Sequence, residues 1–546
     1  MTILIGGAWP YANGSLHLGR LASLLPGDVL ARYFRLKGEE VLYVSGSDCH
    51  GTPVAVQAAL EGVEPGDIAG RYHAEFAACF EQLGFTYDLY TRTDQRFHHG
   101  VVRQLFLDLL ENGWLYARTS LQAYCETDKR FLPDRYVEGT CPVCGSRARG
   151  DQCDACSTLL DPSDLTDRSC KLCGSPPVER ATEHYYLALS RFQTALAGYA
   201  ASHAKDWKDN AVQLTKRYLE EGLQDRAVTR DLDWGVDVPL QGFEDKKIYV
   251  WIEAVSGYLS ASKQWSAQTG SRWEPFWLDG QGDITAYYVH GKDNIPYHTL
   301  VWPALLIGAG GLHLPDRIVS SEYMTLEGRK FSTSNNWAVW VPDVLSRYQP
   351  DSIRYFLIAN GPEKRDTDFS WRAFIHSHNG ELLGAFGNFV NRTLAFIDKS
   401  FDGIVPEGEL SEEWRTAVSS LYESSGSLIE QGRLKEALEL IFEFVRSANK
   451  YYDEQQPWAQ IKLDKAASGR TLHACTQLIV NLSRLLHPFV PFACERIGSF
   501  LSLDRPAWES AYVPAGRRIE GLSLLFERID ASRIDEEAKR LEQQRR

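Results

Sequence analysis

The chain has 546 residues, 44% of them apolar and 24% charged, with a formal net charge of -14 at neutral pH. That length exceeds one ordinary hydrophobic core and predicts two or three domains. The acidic balance excludes a protein that coats nucleic acid through its overall charge, while leaving room for a local basic face. No run approaches the roughly 18 to 20 apolar residues that span a bilayer, and "MTILIGGAWPYANG" lacks the charged start and long apolar stretch of a secretion signal, so a cytoplasmic protein is expected.

In chain order, "TILIGG" reads as a buried strand, followed by a Pro/Gly/Asn turn and the helical pattern "LHLGRLASLLPGDVLARYFRLKG". "EVLYVSGSD" is a second apolar run, and "GTPVAVQAALEG" is again helical. Strand, helix, strand, helix implies a parallel α/β sheet with its ligand site beyond the carboxyl ends of the strands, where "GAWPYANG" and "GSDCHG" fall. The pattern breaks near residue 115 into cysteine pairs and turns, then resumes at "KKIYVWIEAV" and "AYYVHGKDN", as in a nucleotide-binding fold split by an insertion. The expected division is 1–114 and 233–325 for the two halves of that fold, 115–232 for the insertion, 326–375 for a linking region, and 376–546 for a helical bundle. Leu438, Ile441, Val445 and Ala448 mark one apolar stripe of the bundle.

Five groups of residues are candidates for chemistry. His17 and Arg20 of "HLGR" are spaced i, i+3 on a first helical turn with Gly19 between them, a seat suited to a triphosphate; the alternative is that His17 only caps or packs. Cys141, Cys144, Cys153 and Cys156 form two C-x-x-C pairs with Gly145 after the first, the spacing of a closed structural zinc site. Cys170 and Cys173 are a further half-site that Cys125 and Asp128 of "YCETDKRF" can complete as Cys3Asp, the alternative being free thiols. Trp9, Tyr11, Trp251, Tyr258 and His298 can line an apolar pocket with Asp48 holding an ammonium, although aromatics most often fill cores. "GRKFSTSNN", residues 328–336, is either a phosphate loop or a polar surface turn.

Taken in order, "AWPYANGSLHLGR", "GSDCHGTP", "RFLPDRYVEGTCPVCG", "HGKDN", "KFSTS" and "DEQQPW" resemble the methionyl-tRNA synthetases of class I, from residue 2 to at least Trp458. The resemblance implies a split Rossmann-type catalytic domain, a zinc-binding connective insertion over the acceptor end of tRNA, and an α-helical anticodon-binding bundle. It implies that "HLGR" is the HIGH signature and "KFSTS" the KMSKS loop, with the loop and a stem-contact region in 326–375. On that resemblance His17 and Lys330 serve the phosphates of ATP, Gly19 meets the adenine, and Asp293, Ser332 and Ser334 also contact ATP; Arg20 and Arg329 join the catalytic candidates as cations beside those two residues. Trp9, Tyr11, Asp48, Trp251, Ala254, Tyr258 and His298 match the methionine pocket, and Asn388, Arg392 and Trp458 match the anticodon readers. For Arg392 a plain surface salt bridge is the alternative. The implied cofactors are ATP, Mg2+ and one or two Zn2+; the implied partners are L-methionine and tRNA(Met), with no membrane and a monomeric enzyme.

The chain departs from the family pattern at two signature positions, Arg20 for the second histidine of HIGH and Thr333 for the second lysine of KMSKS. Arg20 keeps a cation. Thr333 cannot, and Arg329 is the nearest residue to restore charge beside Lys330. Val255 also stands where many relatives carry proline. Three functions follow: a methionine-tRNA ligase, a paralogue that adenylates an amino acid outside translation, or a tRNA-binding module that has lost its chemistry through Thr333.

Overall fold

The computed structural model describes residues 1–545 except 133–135, 151, 152, 154, 157, 159 and 334. Ser334, expected to contact ATP, therefore lies outside the described residues. The catalytic core is a five-stranded, wholly parallel sheet of β1 (Thr2–Gly7), β2 (Glu40–Ser47), β3 (Leu89–Arg92), β4 (Ile284–Gly291) and β5 (Arg317–Ser321), in the order β5-β4-β1-β2-β3. Every residue of β1 is buried, as expected of a strand covered on both faces. From β1 the chain builds outward to β2 and β3, and after the insertion it returns to β4 on the other side. The strand order thus reverses at β1, which opens a crevice beyond the carboxyl ends of β1 and β4.

The insertion departs on the strand Leu115–Cys125, which pairs antiparallel with Val178–Leu187 from Leu115↔Leu187 to Tyr124↔Val178. Beyond this stem, Arg147–Arg149, Val137–Thr140 and Thr166–Cys170 form a small antiparallel sheet that carries cysteines. Such a module is too small for a large core of its own, so it depends on staples.

The stretch "GRKFSTSNN" begins as a hairpin. Met324–Leu326 pairs antiparallel with Arg329–Lys330 and parallel with Thr367–Phe369. Helices follow from Trp371–Ser377, so the expected boundary at 376 falls inside the first of them. The stripe of Leu438, Ile441, Val445 and Ala448 is buried, as its spacing predicts. The bundle is pinned to the catalytic core by Arg354, wholly buried, which donates to the carbonyls of Leu83, Pro488 and Phe489 and pairs with the equally buried Asp28 at 2.7 Å. Burial pushes the Asp28 carboxyl up, but Arg354, Arg32 and Thr86 outweigh it and hold it below its ordinary value. Among the described residues no helix is long and apolar enough to cross a membrane.

Candidate active site

The first site element is the start of helix α1 (Leu18–Leu36), immediately beyond β1. His17 is its N-cap, and Nδ1 accepts the main-chain N–H of Arg20 at 3.3 Å. Burial and the Arg20 charge push the His17 pKa down to about 3. A neutral imidazole whose Nδ1 accepts must carry its proton on Nε2, which leaves one outward donor. The two readings of His17 are therefore compatible, because capping fixes the tautomer that makes the other nitrogen a donor. Arg20 Nη1 reaches back to the carbonyl of Tyr11 at 3.4 Å.

Asp48 immediately follows β2, and its backbone pairs with the first loop through Ala12 N to Asp48 O (2.8 Å) and Asp48 N to Pro10 O (2.9 Å). Burial and the nearby Glu253 charge raise its carboxyl well above the ordinary value, against the pull of the His50 N–H. Glu253 itself is pushed up by burial but held down at about 2 by His50 and His98, which reach its Oε1 at 3.0 and 2.9 Å. This buried His50, Glu253, His98 group was not anticipated from sequence, where no spacing links residues 50, 98 and 253.

Trp251 stacks on Tyr297 at 4.2 Å and meets Tyr11 edge-on at 6.2 Å, while Trp9 meets Tyr258 edge-on at 6.4 Å. Ala254 lies on the same short helix as Trp251, Val250–Val255. The Trp9 indole fits because residues 46 and 257 are glycines: a Cβ there would lie 2.3 Å and 2.7 Å from its ring. Burial holds His298 near 4, so it too is neutral. Its Nδ1 donates to the Asn294 carbonyl at 2.8 Å, and its Nε2 accepts the Tyr258 hydroxyl at 2.8 Å. His298 sits on the widened π-helical turn Tyr297–Val301, a local geometry that apolar periodicity does not reveal.

The 328–336 loop folds onto the α1 terminus. Phe331 stacks on His17 with ring centroids 4.9 Å apart, and the space beside Gly19 is filled by both rings. Ser332 and Trp337 exchange main-chain hydrogen bonds of 2.8 and 2.9 Å, closing the loop. Arg329 and Lys330 do not lie side by side. Consecutive strand residues face opposite ways, and the Arg329 guanidinium sits over Trp337, 5.0 Å from its ring centre. Beyond β4, Asp293 accepts the Tyr323 hydroxyl, and Lys292 pairs with Glu322 at 2.6 Å and Asp366 at 2.9 Å.

Both cysteine groups assemble. The ligand atoms of Cys141, Cys144, Cys153 and Cys156 lie within 4.8 Å of one another, as do those of Cys125, Asp128, Cys170 and Cys173. Sulfur separations of 3.5 Å (Cys144 to Cys153), 3.9 Å (Cys141 to Cys156) and 3.4 Å (Cys125 to Cys173) bracket the ~3.8 Å edge of a zinc tetrahedron with Zn–S bonds of ~2.3 Å. Asp128 Oδ2 lies 3.2 Å from Cys125 Sγ and 3.1 Å from Cys170 Sγ. "CPVCGS" and "CKLCGS" make the same knuckle: Gly145 and Gly174 take φ of 71° and 75°, and their N–H groups return to Cys141 and Cys170 O. Both donor sets fit zinc. Cys156 borders a groove of about 450 Å³ that reaches Lys292 and Asp293, so the insertion overhangs the strand ends.

A family model for class I tRNA synthetases (M) matches residues 3–394, and one for the anticodon binding domain of methionyl tRNA ligase matches residues 407–546. The chain belongs to the class I methionyl-tRNA synthetase family. It is 58% identical to methionine-tRNA ligases of Bacillus cereus strain B4264 and Bacillus mycoides strain KBAB4, over 543 residues and 99% of each chain. Its fold matches a Mycobacterium tuberculosis methionyl-tRNA synthetase in complex with methionyl-adenylate at a TM-score of 0.80, with 25% identity over 96% of this chain and 100% of that one.

In the helical part of this methionyl-tRNA synthetase family member, Asn388 and Arg392 share one helix, Asn388–Ser400, and border an open groove of about 700 Å³ with Arg446, Asn449 and Lys450. Arg392 is held in place: it pairs with Asp453 at 2.6 Å, donates to Asn449 O and Oδ1 at 3.0 and 2.9 Å, and lies over the Tyr452 ring. The salt bridge and the groove position coexist. Trp458 is 42% exposed and tilts against Tyr452 at 5.7 Å, which leaves much of its face to solvent.

Proposed function

We propose that this family member is a methionine-tRNA ligase that activates L-methionine with ATP, carried as its magnesium complex, and transfers the product to the 3′ end of tRNA(Met). The observation that carries the reading is the convergence of one buried carboxylate, Asp48, an aromatic pocket and a donor-bearing helix terminus on the crevice beside β1. The methionine ammonium takes Asp48, which favours its ionised form once a cation is present. Trp9, Tyr11, Trp251, Ala254, Tyr258 and His298 enclose the thioether, whose sulfur packs well against ring edges.

The carboxylate of methionine attacks the α-phosphorus and pyrophosphate leaves, so the protein supplies position and charge rather than proton transfer. His17 donates through Nε2–H to a phosphoryl oxygen, Arg20 adds a fixed cation at the same helix end, and Lys330 is brought in by the loop. Phe331 leaves the space beside Gly19 when adenine enters, while Asp293, Ser332 and Ser334 complete the nucleotide contacts. Arg329 acts through the loop, braced on Trp337. The tRNA ribose hydroxyl then attacks the adenylate carbonyl, forming the ester as the bond from the carbonyl carbon to the phosphate oxygen breaks; AMP leaves, and the hydroxyl proton passes to the departing phosphate.

Zinc would be held by Cys141, Cys144, Cys153 and Cys156, and a second ion by Cys125, Asp128, Cys170 and Cys173; it would supply the cross-links that a small sheet lacks. Residues 1–114 and 233–325 act as the catalytic domain, 115–232 guides the acceptor end, 326–375 holds the loop, and the helices from about 376 read the anticodon through Asn388, Arg392 and Trp458. The enzyme works as a cytoplasmic monomer. Methionine-dependent ATP-pyrophosphate exchange followed by charging of tRNA(Met) tests the proposal. Both activities are expected; exchange without charging indicates the paralogue, and neither, in folded and zinc-loaded protein, indicates a binding module.

A further inference from the structure

The C-terminal helix Ser532–Gln544 returns from the helical region to the base of the Lys330 loop. Asn336 Nδ2 donates to the main-chain carbonyl of Gln544 at 2.7 Å, and Gln544 Nε2 donates to the carbonyl of Ala338 at 2.6 Å. Asn336 Oδ1 accepts from Trp340 Nε1 at 3.1 Å. Trp340 in turn lies edge-on to His17 at 6.3 Å, within a segment paired to the start of α1 by Leu18 N to Val339 O (3.0 Å) and Val341 N to Leu16 O (2.7 Å). A continuous path therefore runs from Gln544 through Asn336 and Trp340 to His17.

The helix is anchored before it reaches the loop. Glu537, 2% exposed, accepts from Arg347 Nε at 2.7 Å, from Arg347 Nη2 at 3.0 Å and from the Tyr348 hydroxyl at 3.0 Å. Leu541 is buried against the core one turn further on. Asn336 is also conformationally distinctive, with a left-handed φ of 51° inside the turn closed by Ser332 and Trp337, a backbone that asparagine tolerates better than most residues. The guanidinium of Arg545, just past the helix, lies 6.0 Å from the Trp337 ring that also carries Arg329.

We propose that the C-terminal helix is a positioning element for adenylate formation, in which Gln544 and Asn336 fix one end of the Lys330 loop against the His17 helix terminus. The kinetic part of this inference rests on the ligase reading above. Where catalysis depends on placing a cation against a phosphoryl group, a loop that pivots about a fixed end returns Lys330 to one place, whereas a loose base spreads it over many.

The test uses the full chain with Asn336→Gly, which keeps the left-handed backbone and removes both side-chain bonds, and Gln544→Ala, which removes the bond to Ala338. In pyrophosphate exchange each is expected to raise the KM for ATP or lower kcat by about three- to tenfold while leaving the KM for methionine unchanged. The double variant is expected to lose less than the product of the single losses, because both cut one strap. Limited trypsin cleavage after Arg329 or Lys330 is expected to quicken in both variants. Unchanged cleavage and kinetics overturn the proposal, as does an equal rise in KM for ATP and methionine, which would mark general loosening. If the unmodified chain shows no exchange, the ligase reading falls and the cleavage comparison alone decides the strap.

Discussion

Arg329 and Lys330 are neighbours in sequence, yet the strand they form sends them to opposite faces, and only Arg329 lies over Trp337. Lys330→Ala is expected to lower pyrophosphate exchange by about 10² or more, the scale of a lost transition-state donor. Arg329→Ala, which removes a brace, is expected to cost under about tenfold; equal losses in the two variants would show that both cations reach the phosphates. His17 illustrates both relations between sequence and structure. Its capping bond is a local consequence of standing at a helix start, whereas its neutral state, with a pKa near 3, comes first from burial by the folded chain and only second from the neighbouring Arg20 charge. Phe331 was visible only as one apolar residue in a polar run, and its stack on His17 depends on a contact between residues more than three hundred positions apart.

At the scale of elements, the insertion is a stem of two long strands carrying a small sheet whose cohesion falls on its cysteines. Metal analysis of the purified chain is expected to give two zinc ions per molecule, and one in Asp128→Ala, since three thiolates alone leave the second tetrahedron open. A single zinc in the unmodified chain would assign Cys170 and Cys173 as free thiols. Removing zinc with a chelator is expected to loosen the insertion and to reduce charging more than exchange, because Cys156 borders the groove leading to Asp293 whereas Asp48, just past β2, and His17, the N-cap of α1, belong to the parallel-sheet core. The spacing of the first four cysteines predicted their site directly. The second site was legible only as a candidate, because Asp128 breaks the thiolate pattern and only folding brings residues 125 and 170 together.

At the scale of the whole molecule, the Arg354 and Asp28 pair joins catalytic core and helices through two buried charges, and removal of one partner of such a pair typically costs about 3–5 kcal/mol. Stability also depends on pH through histidines kept neutral. Burial holds His17 near 3 and His73, His99, His298 and His487 near 4, against about 6.5 in an unfolded chain. The unfolded state therefore binds more protons below pH 6.5, and stability is lost as pH falls from there towards 4. His203 and His313, raised by Asp316, act in the opposite sense but are fewer. Thermal unfolding is thus expected to show a falling Tm between pH 7 and pH 5; a flat profile would mean that these imidazoles are protonated in the native state. The sequence by itself determined the parallel α/β core, the place of the insertion, the helical end, the first cysteine site and the family, because each is written in short-range periodicity or in ordered motifs. Tertiary structure alone decided that Glu253 is held between His50 and His98, that Phe331 covers Gly19, that Arg392 is held by Asp453, and that the last helix returns to Asn336. Those contacts join residues tens to hundreds of positions apart, and no local pattern can encode a distance that exists only after the chain has closed on itself.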